Sequence, residues 1–452
     1  MNDDIPFLSR AIRPDLFSAS SCPELMIALI LANLMSERLG ELARKVVKPG
    51  DRTPDALNRA LRRMHKFVNV RFYHPKPMEL ARAWGLHEFE RRSAPEEIAE
   101  DRAPLDELKQ GLEICRHDND PRLHLLRDGA FPNYIYFNAD LILAYGRQLG
   151  YLAMHPLGMT SCADECLLIA SLAVAGGFCG VGDLVLIGSP VHYTLFIFQE
   201  KGSWWINGKR EIFNAGEFAS ACPGADAGSR QQVFDAKTVV ADRLITAAGA
   251  ALFADGRSTL PPARLDAILE KIARFLGVAP RQLDPKLITT WEEGPKSEVE
   301  ERLSQCADPA GVAAALEELA SRQDRLAVAA RCAFRSRDAA PIEAFIAAAR
   351  EGYRVYLQAA TVATVEEAVE AVRAIPGREP VFGDPARIAL PDEALLLKTA
   401  GPDERALILY TLLQFSPTLS EEEKSSISLS AGSQGWAVQV GADLHYSPGE
   451  ML

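Results

Sequence analysis

Cys162, His192 and Asn207 are the residues whose types and spacing could do covalent chemistry in this chain. Cys162 opens the run Cys162-Ala163-Asp164-Glu165-Cys166, which continues apolar to Ala175 and ends in Gly176-Gly177. His192 follows 30 positions later (192 − 162) in Val191-His192-Tyr193-Thr194-Leu195-Phe196-Ile197-Phe198, and Asn207 lies 15 beyond it (207 − 192), after Trp204-Trp205-Ile206. A cysteine at a helix start, a histidine on a strand and an amide on the next element are the parts of a thiol-nucleophile site. Ser161 and Asp164 form a Ser-x-x-Asp capping pattern that starts a helix at Cys162. In that first turn the helix dipole and free N–H groups favour thiolate over thiol and can stabilise an oxyanion. His192 would take the thiol proton and return it to a leaving group, with a third polar group orienting its ring.

These residues need particular elements around them. Cys162 to Ala175 is apolar nearly all round and predicts a buried helix. Asp183 to Gly188 and Val191 to Gln199 predict strands by their β-branched and aromatic content, with Lys201-Gly202-Ser203 as a hairpin turn between the latter and Trp204–Ile206. Upstream, residues 22–48 and 54–66 carry helical periodicity. Phe67 to Tyr73 alternates as a short strand would, 76–115 is helical, 117–121 is a turn, 133–138 is strand or loop, and Leu141 to Tyr151 is a helix. Residues 221–230, rich in Gly, Ala and Pro, read as a linker. Residues 235–372 are Ala-rich and helical, and the prolines and glycines of 376–391 mark a further boundary. The expected domains are 1–230, N-terminal helices plus the catalytic core; 231–380, helical; and 381–452, a small α+β region.

Gly158, Cys162, Asp164, Cys166 in a small-residue position, the aliphatic helix from Leu167 to Ala175, Gly177 and a strand His192 follow the order of the transglutaminase-like superfamily, the rearranged relatives of papain. The resemblance covers about residues 155–215. It implies an α+β fold with a papain-related core, one buried helix on an antiparallel sheet, inside a helix-rich chain. It also implies acyl transfer or amide and peptide hydrolysis through a thioester, with no metal and no cofactor. Asn207 stands where the superfamily usually has Asp, a role that Asn fills in papain-like proteases. The superfamily's arginine after the helix glycine is replaced by Phe178-Cys179-Gly180.

Each residue also has a plainer explanation. Cys162 and Cys166 could be small core hydrophobes, and His192 a satisfied core histidine. Asn207-Gly208 is a strong two-residue type I′ hairpin signal between Trp204–Ile206 and Lys209–Phe213, with Asn214 as a second candidate orienter. Zinc on Cys162, Cys166 and His192 is disfavoured, since a lone Cys-x3-Cys is a poor ligand pair. A non-catalytic binding or scaffolding protein on the same fold is the rival function, and an amide-forming acyltransferase using a thioester donor is the neighbouring one.

A worn second copy of the pattern is visible at Lys398 to Leu413, where Pro402 takes the nucleophile's place. Gln434, 32 positions on (434 − 402), takes the histidine's, ahead of Trp436. Lacking both Cys and His, it could bind but not do thiol chemistry; the simpler alternative is an ordinary helix followed by a strand.

The 452 residues carry 48% hydrophobic and 24% charged side chains and a net charge of −12, spread along the chain. That balance fits a globular protein and lacks the basic face of a nucleic-acid binder. Cys22, Cys115, Cys162, Cys166, Cys179, Cys222, Cys306 and Cys332 do not space as a disulfide framework and read as reduced thiols. The acidic N-terminus lacks a signal-peptide charge pattern, and Met26–Met35 is too short to span a bilayer. A cytoplasmic protein acting on an amide, peptide or thioester acyl substrate, including one carried on a protein, is expected, with no nucleic-acid or membrane partner.

Overall fold

The computed structural model describes residues 4–13, 24–48, 53–71, 162–189, 192–207, 211–239, 241–253, 259–280, 298–306, 308–432, 435–441 and 444–446. The elements expected at 76–115, 117–121, 133–138 and 141–151 lie outside these residues. Four helices come first: α1 (Ile5–Ile12), α2 (Glu24–Leu34), α3 (Glu37–Val46) and α4 (Pro54–Arg71). α5 (Cys162–Ala175) follows, then β1 (Leu184–Gly188), β2 (Tyr193–Gln199), β3 (Gly202–Ile206) and β4 (Ile212–Asn214). After α6 (Ala215–Ala221) and α7 (Ala227–Thr238) come β5 (Arg243–Thr246) and β6 (Gly249–Leu252). All six strands form one antiparallel sheet in the order β4-β3-β2-β1-β5-β6.

β2 is a near-continuous apolar run because both of its faces are covered. Tyr193, Leu195 and Ile197 enter the core shared with α5, while Phe196 and Phe198 enter a second core on the opposite face. The second core is aromatic: Trp205 meets Phe218 edge-on at 5.3 Å, and Phe196 meets Phe275 in the same manner at 5.2 Å. α5 is apolar all round for the same kind of reason. It packs on β2 and also on α2, α3 and α4, which buries its middle on all sides and leaves Cys162, Val174 and Ala175 partly exposed at its ends. Its one buried hydroxyl is satisfied: Ser171 Oγ donates to Leu167 O at 2.6 Å and accepts from Asn33 Nδ2 of α2 at 3.2 Å.

The remainder is α8 (Pro262–Leu276), α9 (Val299–Leu303), α10 (Pro309–Ser321), α11 (Arg325–Ala333), α12 (Ile342–Arg350), α13 (Tyr353–Ala359), α14 (Val365–Arg373), α15 (Pro391–Leu397), α16 (Pro402–Phe415) and α17 (Glu421–Ser425). The chain then forms an antiparallel meander, β7 (Ile427–Gly432), β8 (Gly435–Val440) and β9 (Leu444–Tyr446).

Several expectations are corrected. The strand expected from Phe67 is helix as far as Arg71, because α4 is already nucleated by its buried Leu57, Ala60, Leu61 and Met64 and propagation is cheap. The linker expected over 221–230 holds the start of α7, capped where Asp226 Oδ1 accepts from Ser229 N at 2.6 Å. The boundary expected at 230 is crossed by the sheet, and the region beyond it, expected to be helical, opens with strands β5 and β6: Leu186 pairs with Ile245 and Gly188 with Arg243. One hydrophobic core runs from Ala11 through α5 and α11 to Trp436 and Val438, so the regions beyond 230 and 380 are packed onto it.

α16 repeats the setting of α5. Both helices have 14 residues, and both precede an antiparallel meander whose central strand lies against the helix, β2 for α5 and β8 for α16. Thr411, nine residues into α16, back-bonds to Leu407 O as Ser171, nine residues into α5, does to Leu167 O. Pro402 stands at the first position of α16, where its missing N–H has no intrahelical partner. Trp436 lies on this second sheet and not on the first. Among the described residues no helix is long and apolar enough to cross a membrane.

The C-terminal part is tied down by buried charge. Arg335 Nη2 meets Glu393 Oε1 at 2.8 Å with both side chains almost fully buried, and Glu393 Oε2 also accepts from Leu390 N at 2.7 Å. Removing one partner leaves a buried uncompensated charge. Glu393→Ala is expected to lower stability by about 3–5 kcal/mol, and Glu393→Met with Arg335→Met by much less. Denaturation midpoints of the single and double variants check this; equal losses would mean that the uncompensated charge is not the cause.

Candidate active site

His192 is held by its own backbone. Its N–H donates to Ser189 Oγ at 3.1 Å, and its carbonyl accepts from Ser189 N at 2.8 Å, which closes the β1–β2 connection. The β2–β3 register, Leu195 opposite Ile206 and Phe196 opposite Trp205, puts His192 and Asn207 on one face as diagonal neighbours. Their side chains meet: His192 Nε2 lies 3.0 Å from Asn207 Oδ1.

Asn207 is not the central residue of a two-residue turn. Ile206 pairs with Ile212, and Asn207 N donates to Glu211 O at 3.1 Å, so three residues separate a paired Asn207 and Glu211. A type I′ turn at Asn207-Gly208 would instead have paired Ile206 with Lys209. The observed register sets the two side chains next to each other, and Asn207 Nδ2 donates to Glu211 Oε2 at 2.7 Å. The other Glu211 oxygen accepts from Lys237 Nζ, in the last turn of α7. Asn214, the second candidate orienter, is occupied elsewhere: it caps α6, with Oδ1 accepting from Glu217 N at 2.9 Å.

This chain of bonds assigns protons. An ionised carboxylate only accepts, so the Asn207 amide must turn its NH₂ to Glu211 and its oxygen to His192. With the amide so turned, the His192–Asn207 bond is made when Nε2 carries the hydrogen. In the neutral ring the basic lone pair is left on Nδ1.

His192, Asn207, Glu211, Ala236, Lys237 and Val239 line a cavity of about 310 Å³ on the α7 side of the sheet. Val239, at the carboxyl end of α7, is held at φ 52° and is 44% exposed. A β-branched residue in the left-handed region is strained, and such strain gathers at binding sites.

Cys162 is the first residue of α5 and is partly buried. One turn on, Cys166 is fully buried and its Sγ donates to Tyr193 O at 3.6 Å. Residues four apart share a helix face, so the amino-terminal turn of α5 lies against the start of β2, next to His192. Gly188, opposite Tyr193, leaves room for the Tyr193 ring, which a Cβ there would strike. Burial pushes the Tyr193 phenol up to about 12; Arg243 opposes that shift, and the charge of Cys162 adds to it. Cys162 does not line the cavity that holds His192 and Asn207. Ser161 and Gly158 lie outside the described residues, and so does the side chain of Asp164. Among the described residues no group of three or more His, Cys, Asp or Glu side chains is arranged to hold a metal ion.

No family model, curated protein or solved structure matches the chain.

The structure therefore brings His192 and Asn207 together and places Cys162 on the neighbouring helix end. It adds Glu211 and Lys237, which sequence reasoning missed. Their only signal was a carboxylate four residues beyond Asn207, and it carries meaning only once the loop length is known.

The thiols differ in access. Cys166, Cys179, Cys222 and Cys332 are buried, whereas Cys162 and Cys306 are partly exposed. Burial raises the Cys306 thiol above its ordinary value. Iodoacetamide at neutral pH is expected to modify Cys162 before these five other thiols, as read by site-mapped mass spectrometry. Faster modification of Cys306 would count against an activated Cys162.

Proposed function

We propose that this chain is a cysteine-dependent acyl-transfer or amide-cleaving enzyme of the transglutaminase-like type. The observation that carries the reading is the His192–Asn207 bond, with Glu211 behind it, because it puts the ring hydrogen on Nε2 and the base on Nδ1. A histidine buried only for packing has no need of that arrangement.

In this reading Cys162 Sγ attacks the carbonyl carbon of an amide, peptide or thioester, and its proton passes to His192 Nδ1. The C–O bond electrons move to oxygen, and the N–H groups at the start of α5 stabilise the oxyanion. The intermediate collapses, the leaving amine or thiol takes the proton from His192, and a thioester remains on Cys162. Water or an amine then gives its proton to His192 and attacks the thioester, which frees Sγ with the acid or the new amide. Asn207 Oδ1 holds the imidazolium in place throughout. The reaction requires the thiol to meet the ring around the start of β2. We place this enzyme in the cytoplasm, with a small-molecule or protein-borne acyl substrate and no metal or cofactor.

One observation favours the rival reading, a binding protein on the same fold: Cys162 is absent from the cavity lining. Intact-mass measurement after incubation with a panel of acyl thioesters and amides separates the two. An acyl adduct on Cys162 that is discharged by water or amines supports the enzyme; a panel without any adduct, together with a thiol of ordinary reactivity, supports the binding protein.

The variants have set expectations. Cys162→Ala should abolish turnover. His192→Ala should lower it by roughly 10²–10⁴-fold, with thermal stability nearly unchanged. Asn207→Ala should lower kcat, Asn207→Asp should retain activity, and Asn207→Gly should behave as Asn207→Ala. Steady-state kinetics on whichever acyl donor labels Cys162 checks the series; full activity in Asn207→Gly would remove Asn207 from the site.

A further inference from the structure

We infer that Glu211, held by Lys237, is a positioning residue that sets the tautomer of His192 through the Asn207 amide. The inference rests on the reading of His192 as the catalytic base, but its central readout is independent of catalysis.

The Lys237–Glu211 pair is partly exposed, with side chains 29% and 34% accessible. An ion pair in such a place contributes little to stability, so stability alone does not explain its geometry. Both carboxylate oxygens are used, one by Lys237 Nζ and one by Asn207 Nδ2. Lys237 thereby occupies one Glu211 oxygen, leaves the other to accept from Asn207, and fixes the rotamer. An amide's two ends are nearly equal in shape, so nothing but its hydrogen bonds chooses between them. On the other side of Asn207, among the described residues, lies the His192 ring nitrogen, which could donate or accept. Glu211 decides the matter: it takes the NH₂, the oxygen turns to His192, and Nε2 carries the hydrogen. With the amide reversed, Nε2 would accept, the hydrogen would move to Nδ1, and the ring could no longer take a thiol proton there.

The pair comes from two distant elements, the start of β4 and the end of α7, so the tautomer depends on the docking of α7 against the sheet. Both residues also line the His192 cavity. A ligand carboxylate or amide entering that cavity would compete for the same contacts.

The test uses the full chain labelled with ¹⁵N-histidine, and reads the His192 ring nitrogen shifts above the ring's titration. The wild type should show protonated Nε2 and unprotonated Nδ1. Glu211→Gln, with one oxygen for Lys237 and Asn207 to compete for, and Glu211→Ala should each give a mixture. The deciding variant is the charge swap Glu211→Lys with Lys237→Glu. It keeps an ion pair but places a donor against Asn207, so the amide should reverse and the hydrogen should appear on Nδ1. With any acyl donor that labels Cys162, the swap should lower kcat by roughly 10²-fold with KM little changed. An unchanged Nε2–H pattern in both Glu211→Ala and the swap overturns the proposal, as would a wild type already protonated on Nδ1. If the tautomer follows Glu211 but no donor ever labels Cys162, the positioning role stands and the enzyme reading falls.

Discussion

Burial of β2 on both faces is the constraint from which most of this structure follows. A strand with Tyr193, Leu195 and Ile197 on one side and Phe196 and Phe198 on the other must be covered twice. α5 and the helices around it cover the first face, and α6, α7 and α8 cover the second. Because side chains alternate along a strand, this double cover also fixes what happens at its first residues. Tyr193 is directed into the core beneath α5, and His192 onto the α7 side. A slip of one residue would put His192 under α5 and drive Phe196 and Phe198 out of the aromatic core, so the packing of both faces holds the imidazole in its register.

The polar part of the site is built on that register, one hydrogen bond at a time. Ser189 pins the His192 backbone, the β3–β4 pairing sets Asn207 beside Glu211, and α7 brings Lys237 to the carboxylate. Each link is ordinary in strength, near 1 kcal/mol. Their value lies in direction: a carboxylate, an amide and an imidazole in series leave one allowed placement of hydrogens. The strain at Val239, where α7 ends beside the cavity, lies in the same region. The second helix-and-meander unit, α16 with β7–β9, solves the same packing problem without this polar series. It has proline where α5 begins with cysteine, and buried arginine chemistry instead, with Arg405 donating to Ala400, Ile375 and Gly377 carbonyls.

A good deal of this was legible beforehand, and the reasons are local. The run from Cys162 to Ala175 has no polar face, so a helix surrounded by protein was the only comfortable outcome, and it was found with those limits. The strands at 184–188 and 193–199 declared themselves by composition, and the helix from 54 onward by periodicity; the single helical stretch of 22–48 is two helices, 24–34 and 37–46, divided where Ser36 caps the second. The pattern near Pro402 and Trp436 likewise reappeared as a helix on its own sheet. Phe67–Arg71 failed because five alternating residues cannot outweigh a helix already under way.

By itself the sequence determined the buried helix from Cys162 to Ala175, the strands at 184–188 and 193–199, and the intervals between Cys162, His192 and Asn207. All of these follow from side-chain chemistry and repeat period within one segment. Tertiary structure decided how segments pair. It chose a three-residue loop over the Asn207-Gly208 turn, carried β5 and β6 back onto β1 across an apparent linker, and set Glu211 and Lys237 behind Asn207. Those outcomes depend on apolar area and hydrogen bonds shared between distant parts of the chain, which no local pattern records.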